Sequence, residues 1–237
     1  MKITKLLIGS LLISSCGIAF GGILQLDFGT GGAYSGTEAP AKVTDKVWNE
    51  IASDVTKNLV FADGSAADGV TVDLGRGAPG VEGFWGNALR AWSVADFDDI
   101  GGEHILKTDL GKSWIYTKGE TLGARVKGLE KGVYDVYVIV REPNAPKRTY
   151  DVGIGVGDIS DVDDLNIGSI GVTTDGLSFI KGESYVLQRV TLSGKEDFIT
   201  VIVDPTNDKF GTMQGIQIVP VPSVSYTHLT LPTILLV

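Results

Sequence analysis

Trp85 and Trp92 lie in one stretch of chain with Asn87, Arg90 and Asp96. Flat aromatic faces stack on sugar rings, while amide, guanidinium and carboxylate groups fix the sugar hydroxyls. These five residues are the candidate ligand-binding set. The structural alternative is that both tryptophans pack beneath a long loop. A second group is acidic: Asp158, Asp161, Asp163 and Asp164, with Asn166 close behind. Calcium prefers hard oxygen ligands of this kind. The run has neither the ligand spacing nor the central glycine of an EF-hand, so calcium competes here with a solvated acidic turn between strands. A third group, Asp96, Asp98, Asp99 and Glu103, supplies carboxylates of the type used in glycoside hydrolysis. Nothing nearby marks the enclosed site that would raise the pKa of one of them.

Other chemistries are poorly served. His104 is the one histidine outside the extreme C-terminal segment, which holds His228. No Gly-x-Ser-x-Gly elbow accompanies it, so a Ser-His-Asp triad has no nucleophile site. Zinc wants several His or Cys ligands, and the chain has a single cysteine, Cys16. That cysteine lies in the N-terminal apolar segment, which leaves the rest of the chain without a disulfide. The glycines of Asp73 to Gly80 precede no credible helix, so they do not make a dinucleotide loop. The net charge is −9, and such acidity repels phosphate backbones, which argues against nucleic acid as a partner.

The elements that must position these groups are short strands. Leu24, Leu26 and Phe28 alternate with Gln25 and Asp27, and residues 70–74 alternate likewise. Residues 134–140 are apolar enough for a central strand, and Tyr150, Val152, Ile154 and Val156 share one face of the next. Residues 185–192, 198–203 and 213–219 complete the set. Period-two patterns separated by Gly, Asp and Asn turns describe antiparallel sheets with one face on a core. The expectation is an all-β fold, an antiparallel β-sandwich of jelly-roll type with nine to eleven strands and one short helix. The helix is placed at Thr44–Ser53, where Thr44 caps and Val47, Trp48 and Ile51 form a stripe. Trp48 and Trp114 fall on periodic elements and are assigned to the core. Residues 75–111 read as a long decorated loop with one or two short strands, where binding usually sits on a rigid sandwich.

The ends of the chain carry their own signals. Lys2 and Lys5 precede an apolar run from Leu6 to Phe20, and small residues follow at Gly21 and Gly22. That pattern predicts a secretory signal peptide over 1–22, too short to span a bilayer, and a β-sandwich domain over 23–220. Ile13-Ser14-Ser15-Cys16 offers a rival reading, a loose lipobox with Cys16 lipidated. Residues 221–237 are a tail.

Three resemblances sharpen the picture. Arg125-Val-Lys-Gly-Leu129, Lys131 to Val138 and Arg148 to Ile154 resemble the middle strands of the galactose-binding-like jelly rolls, and Met213 to Val219 resembles their closing strand. Leu26-Asp-Phe-Gly29, Tyr34-Ser-Gly36 and Trp48-Asn49 resemble small exported proteins of Verrucomicrobia-type bacteria, many of which end in a PEP-CTERM sorting signal. That signal is missing here, since Val219-Pro-Val-Pro222 has neither the Glu nor the basic cluster. Val224 to Thr233 is similar to a translated sequencing-adaptor sequence, which would make the tail non-native from about 224. The combined expectation is an exported, non-catalytic binding module at the cell surface or in the extracellular matrix. Its expected partner is an extracellular polysaccharide, and the mature chain would have no transmembrane segment. The alternatives are a structural surface protein that binds other proteins and a glycoside hydrolase using an Asp/Glu pair. Calcium is the one candidate cofactor.

Overall fold

Alternating apolar residues cannot hide one face except by pairing strands into sheets and stacking the sheets. The computed structural model shows that solution. It describes residues 22–29, 32–36, 39–52, 55–74, 90–93, 113–116, 121–140, 148–159, 161–171, 179–207 and 211–222. Fourteen strands lie among the described residues: β1 (Leu24–Phe28), β2 (Asn49–Ile51), β3 (Val55–Thr56), β4 (Thr71–Asp73), β5 (Arg90–Ser93), β6 (Ser113–Tyr116), β7 (Leu122–Lys127), β8 (Gly132–Ile139), β9 (Tyr150–Val156), β10 (Asn166–Ile170), β11 (Tyr185–Leu192), β12 (Phe198–Pro205), β13 (Thr212–Met213) and β14 (Gly215–Pro220).

They form a five-stranded sheet, β11-β8-β14-β1-β2, a six-stranded sheet, β10-β9-β12-β7-β4-β3, and a small sheet, β13-β6-β5. From β7 to β9, and again from β11 to β12 and by way of β13 to β14, the chain passes between the two large sheets, as a jelly roll requires. Every pairing of these strands is antiparallel except β1 with β2. The core lies between the large sheets. Leu24, Leu26, Phe28, Val136, Val138, Ile216 and Ile218 come from one side, and Val126, Val152, Ile154, Ile199, Val201 and Val203 from the other. The fold is therefore an all-β sandwich, and the period-two strands read from sequence fall where the alternation places them.

Two expectations need correction. The strand count exceeds nine to eleven, because short segments such as β2 and β3 carry too few residues to show a period. The helix over Thr44–Ser53 does not form. Residues 44–48 are irregular, and Asn49–Ile51 is β2, with Leu26 opposite Asn49 and Phe28 opposite Ile51. The reason is the Asn49 side chain. Its amide donates to the Gln25 carbonyl (2.9 Å) and the Val60 carbonyl (2.8 Å), and its oxygen accepts from the Val60 N–H (2.8 Å). Three backbone bonds from one buried side chain outweigh the weak helical preference of so short a segment. The one helical turn among the described residues is a 3-10 turn at Val162–Asp164. Trp48 is buried, as expected, with its ring edge-on to Tyr34 (centroids 5.4 Å apart, 76°).

Both large sheets have their outer faces partly covered. Residues 32–36 and 39–48 lie across the five-stranded sheet. The Gln217 side chain receives the Ala41 N–H (2.9 Å) and donates to the Gln25 side-chain oxygen (2.8 Å), while the Gln25 amide donates to the carbonyls of Asp45 and Val47. Residues 157–159 and 161–165 lie across the six-stranded sheet, and Leu165 packs on Ile202 with Ile159 and Val162 beside it. Gly153 and Gly155 make room for them. A Cβ at either would stand 2.9 or 2.7 Å from Leu165.

Candidate functional site

The small sheet β13-β6-β5 carries the part of the expected site that the structure describes. Arg90 and Trp92 lie on β5, in register with Tyr116 and Trp114 of β6. Directly opposed residues of an antiparallel pair share a face, and neighbours along a strand alternate between faces. Ile115 and Met213, opposite each other on β6 and β13, are fully buried in the main core. Arg90, Trp92, Trp114 and Tyr116 therefore occupy ladder positions of the other parity, and so does Thr212, in register with Tyr116. Ile115, between Trp114 and Tyr116 on β6, is the residue of that strand seen to meet the main core. One short strand inside the expected loop is thus present as β5. Trp85, Asn87 and Asp96 lie outside the described residues, as do Asp98, Asp99, Glu103 and His104. So do residues 1–21 of the expected signal peptide, including Cys16, and residues 223–237 of the tail.

Sequence reading missed Trp114, Tyr116 and Thr212 as companions of Trp92. The signal was the alternation Trp114-Ile115-Tyr116, in which the middle residue is the aliphatic one. Which residue of the three meets the core depends on the partner strand, and β5 is distant in sequence.

The acidic run behaves as a structural turn. Asp158 pairs with Arg125. Burial pulls the Arg125 guanidinium below its ordinary pKa, against the opposing pull of Asp158 and Asp73. Asp161 caps the 3-10 turn, its carboxylate accepting the Asp163 N–H at 3.0 Å. Asp163 and Asp164 are exposed. Among the described residues no group of three or more His, Cys, Asp or Glu is placed to hold a metal ion. The calcium expectation at Asp158, Asp161, Asp163 and Asp164 thus finds no cage. The apolar residues Ile159, Val162 and Leu165, spaced by three, explain the run better: they bind the sheet and leave the aspartates outward. Their nearest electrostatic consequence is at Asp204 of β12. Burial pushes its carboxyl up, and Asp151, Asp163 and Asp161 push it further.

The outer face of the five-stranded sheet holds a second polar-aromatic group. Tyr137 and Tyr185 are half-buried with centroids 5.9 Å apart. Beside them Arg189 makes a bidentate pair with Asp135 (2.7 and 2.9 Å). Burial, then Asp135 and Tyr185, raise the Tyr137 phenol pKa, so it stays neutral.

No helix among the described residues is long and apolar enough to cross a membrane. No protein-family model matches the chain, and no curated protein matches it. Among solved structures it is similar to the carbohydrate-binding module TmCBM61 in complex with beta-1,4-galactotriose, at 14% identity and TM-score 0.30, over 56% of this chain and 83% of that one. It is similar to a carbohydrate-binding module of the Cellvibrio mixtus lichenase 5A in complex with cellotriose, at 11% identity and TM-score 0.31, over 56% and 88%. It is also similar to the GH115 glucuronidase BtGH115A at 10% identity and TM-score 0.32, where 56% of this chain spans 17% of the enzyme. Likenesses at these scores carry no inference about ligand, and the site rests on its own ladder.

Proposed function

We propose that this protein is an exported, non-catalytic glycan-binding module that acts at the cell surface or in the extracellular matrix. The observation that supports it is the register of β5 on β6, which sets Trp92 opposite Trp114 and Arg90 opposite Tyr116 on one face of the small sheet. Three aromatic residues with a guanidinium among them are the residue types that sugar recognition uses: broad stacking area at low entropic cost, and a few polar groups for orientation. In this reading Trp92 and Trp114 stack on the sugar, and Arg90 fixes hydroxyls. Export is read from the N-terminal pattern of Lys2, Lys5 and the apolar run that follows.

The test is native gel electrophoresis of the full chain through gels containing soluble neutral polysaccharides. Retardation that is lost in Trp92→Ala and in Trp114→Ala, with the thermal melt unchanged, is the expected result. Equal retardation of wild type and both variants would move the site elsewhere. A second reading, a structural surface protein, draws on a different observation. The eight-residue β11 is the outermost strand of its sheet, and Trp48 is buried. An edge strand can add a strand from another protein. Migration unaffected by every polysaccharide, together with concentration-dependent self-association, would favour that reading.

A further inference from the structure

One side of the sandwich is formed by two outermost strands, β11 of the five-stranded sheet and β10 of the six-stranded sheet. They lie against each other: a Cβ on Gly168 of β10 would stand 2.5 Å from Val186 of β11. Hydrogen bonds at the ends of β8 show which backbone groups of β11 are open. In an antiparallel ladder a residue's N–H and C=O point to the same side, and successive residues point to opposite sides. The Val140 N–H donates to the Ser184 carbonyl (3.1 Å), and the Val221 N–H donates to the Val133 carbonyl (2.8 Å). Even-numbered residues of β8 therefore face β11, and odd-numbered ones face β14. By the register of β11 on β8, Val186, Gln188, Val190 and Leu192 direct their backbone groups to β8. Tyr185, Leu187, Arg189 and Thr191 direct theirs to the edge. The Gly182 N–H takes the Tyr185 carbonyl (2.9 Å), and the backbone groups of Leu187, Arg189 and Thr191 have no partner among the described residues.

Soluble proteins guard such an edge with Lys, Pro, an inward-pointing charge or a bulge. None of these occurs in β11, whose pairing with β8 is unbroken and whose one charge, Arg189, is held on the outer face by Asp135. On the neighbouring β10, Ile167 is 43% exposed. We infer that this side is a homodimer interface, in which β11 pairs antiparallel with β11 of a second copy about a twofold axis and the two five-stranded sheets become one. A second copy is the occupant because the edge complements itself. A twofold at Val190 sets Arg189 opposite Thr191 of the second copy, and each such pair exchanges the N–H and C=O groups that the single chain leaves open. A twofold at Arg189 would oppose two guanidinium groups. One at Gln188 would drive Thr191 of the second copy against the residues that already cap Tyr185. The edge also carries no net charge, since Asp135 offsets Arg189, so a chain of net charge −9 can meet its copy here with little repulsion. The contact is isologous and closes at two copies. It extends the open edge of β11 noted above, and it holds whether or not the chain binds glycan.

Sedimentation equilibrium of the full chain over a wide range of concentration tests this, and wild type is expected to dimerise. Thr191→Pro removes an N–H that faces the edge and leaves the ladder to β8 whole, a change edge strands tolerate. It is expected to melt like wild type under dilute conditions and to dimerise roughly tenfold more weakly, the worth of one hydrogen bond. Ile167→Asp alters the other sheet and is expected to weaken the dimer as well, which keeps the test decisive should Thr191→Pro fail to fold. In hydrogen exchange the amides of Arg189 and Thr191 are expected to slow as protein concentration rises, while those of Val186 and Val190 are slow throughout. A wild type that stays monomeric at every concentration overturns the inference. So does a dimer that survives both substitutions, or one whose Arg189 and Thr191 amides exchange at a rate independent of concentration. Association that continues past two copies would overturn the twofold. Retardation in polysaccharide gels reports separately on the glycan reading, so either conclusion can fail without the other.

Discussion

The segments that cover the two large sheets are held by opposite means. Residues 39–48 are latched to the five-stranded sheet mainly by amide groups: Gln25, Gln217 and Asn49 are all buried, and each bonds to backbone of the covering segment or its neighbours. Residues 157–159 and 161–165 are held to the six-stranded sheet by apolar contact, with Leu165 over the space left by Gly153 and Gly155 and against Ile202. The two should fail differently. A buried hydrogen bond is worth little net while made, yet a group left unpaired costs its full desolvation. An apolar contact loses stability in proportion to what is removed.

Removing one half of the amide latch is therefore the harshest perturbation. Gln217→Leu leaves the Ala41 N–H and the Gln25 oxygen without their partner and is expected to cost about 3 kcal/mol in urea unfolding. Adding Gln25→Leu should cost less than the sum of the two single changes, because the oxygen orphaned by the first is removed by the second. Strict additivity would show that the two amides do not act as a unit. Leu165→Ala, on the other sheet, is expected to cost about 2 kcal/mol, since the side chain sits at the rim of its cluster and the cavity can partly fill. A cost above that of Gln217→Leu would reverse the ranking of the two latches. Gly155→Ala is milder. Its new Cβ meets Leu165 Cδ2, the far end of a side chain that can turn, and about 1 kcal/mol is expected by the same unfolding measurement.

The smallest effect fades as pH falls. Asp204 binds its proton more tightly in the fold than in the unfolded chain, because burial and the neighbouring Asp151, Asp163 and Asp161 disfavour the charge. Its contribution is present below the ordinary aspartate range and is lost as pH rises through the raised native value. Asp204→Asn should accordingly melt higher than wild type near pH 7 and lose that advantage near about pH 3. An advantage that persists unchanged at low pH would mean that the carboxylates around Asp204 do not act on it through charge.

Legibility varied with how local the cause was. Leu24, Leu26 and Phe28 announced a strand because alternation is written in five consecutive residues, and β11 likewise fell at its expected bounds. The helix at Thr44–Ser53 was misread because Val47, Trp48 and Ile51 fit a helical stripe, while Asn49 was bound for Gln25 and Val60, partners no local pattern reveals. The acidic run drew attention to calcium because aspartates are conspicuous, whereas the residues that fix it, Ile159, Val162 and Leu165, are ordinary. At the small sheet, Trp92 and Arg90 were legible as candidates by type. Trp114, Tyr116 and Thr212 became their companions only through the pairing of β5, β6 and β13.

The order of residues alone shows a β-rich, acidic chain nearly free of histidine and cysteine, because composition and period two are properties of neighbouring residues. Which strands pair, and which ladder parity meets the core, is set in the folded sandwich. Gln217 bonds the Ala41 backbone 176 residues away, and Thr212 shares a face with Arg90, because strand pairing is a non-local choice made by burial of the whole sandwich.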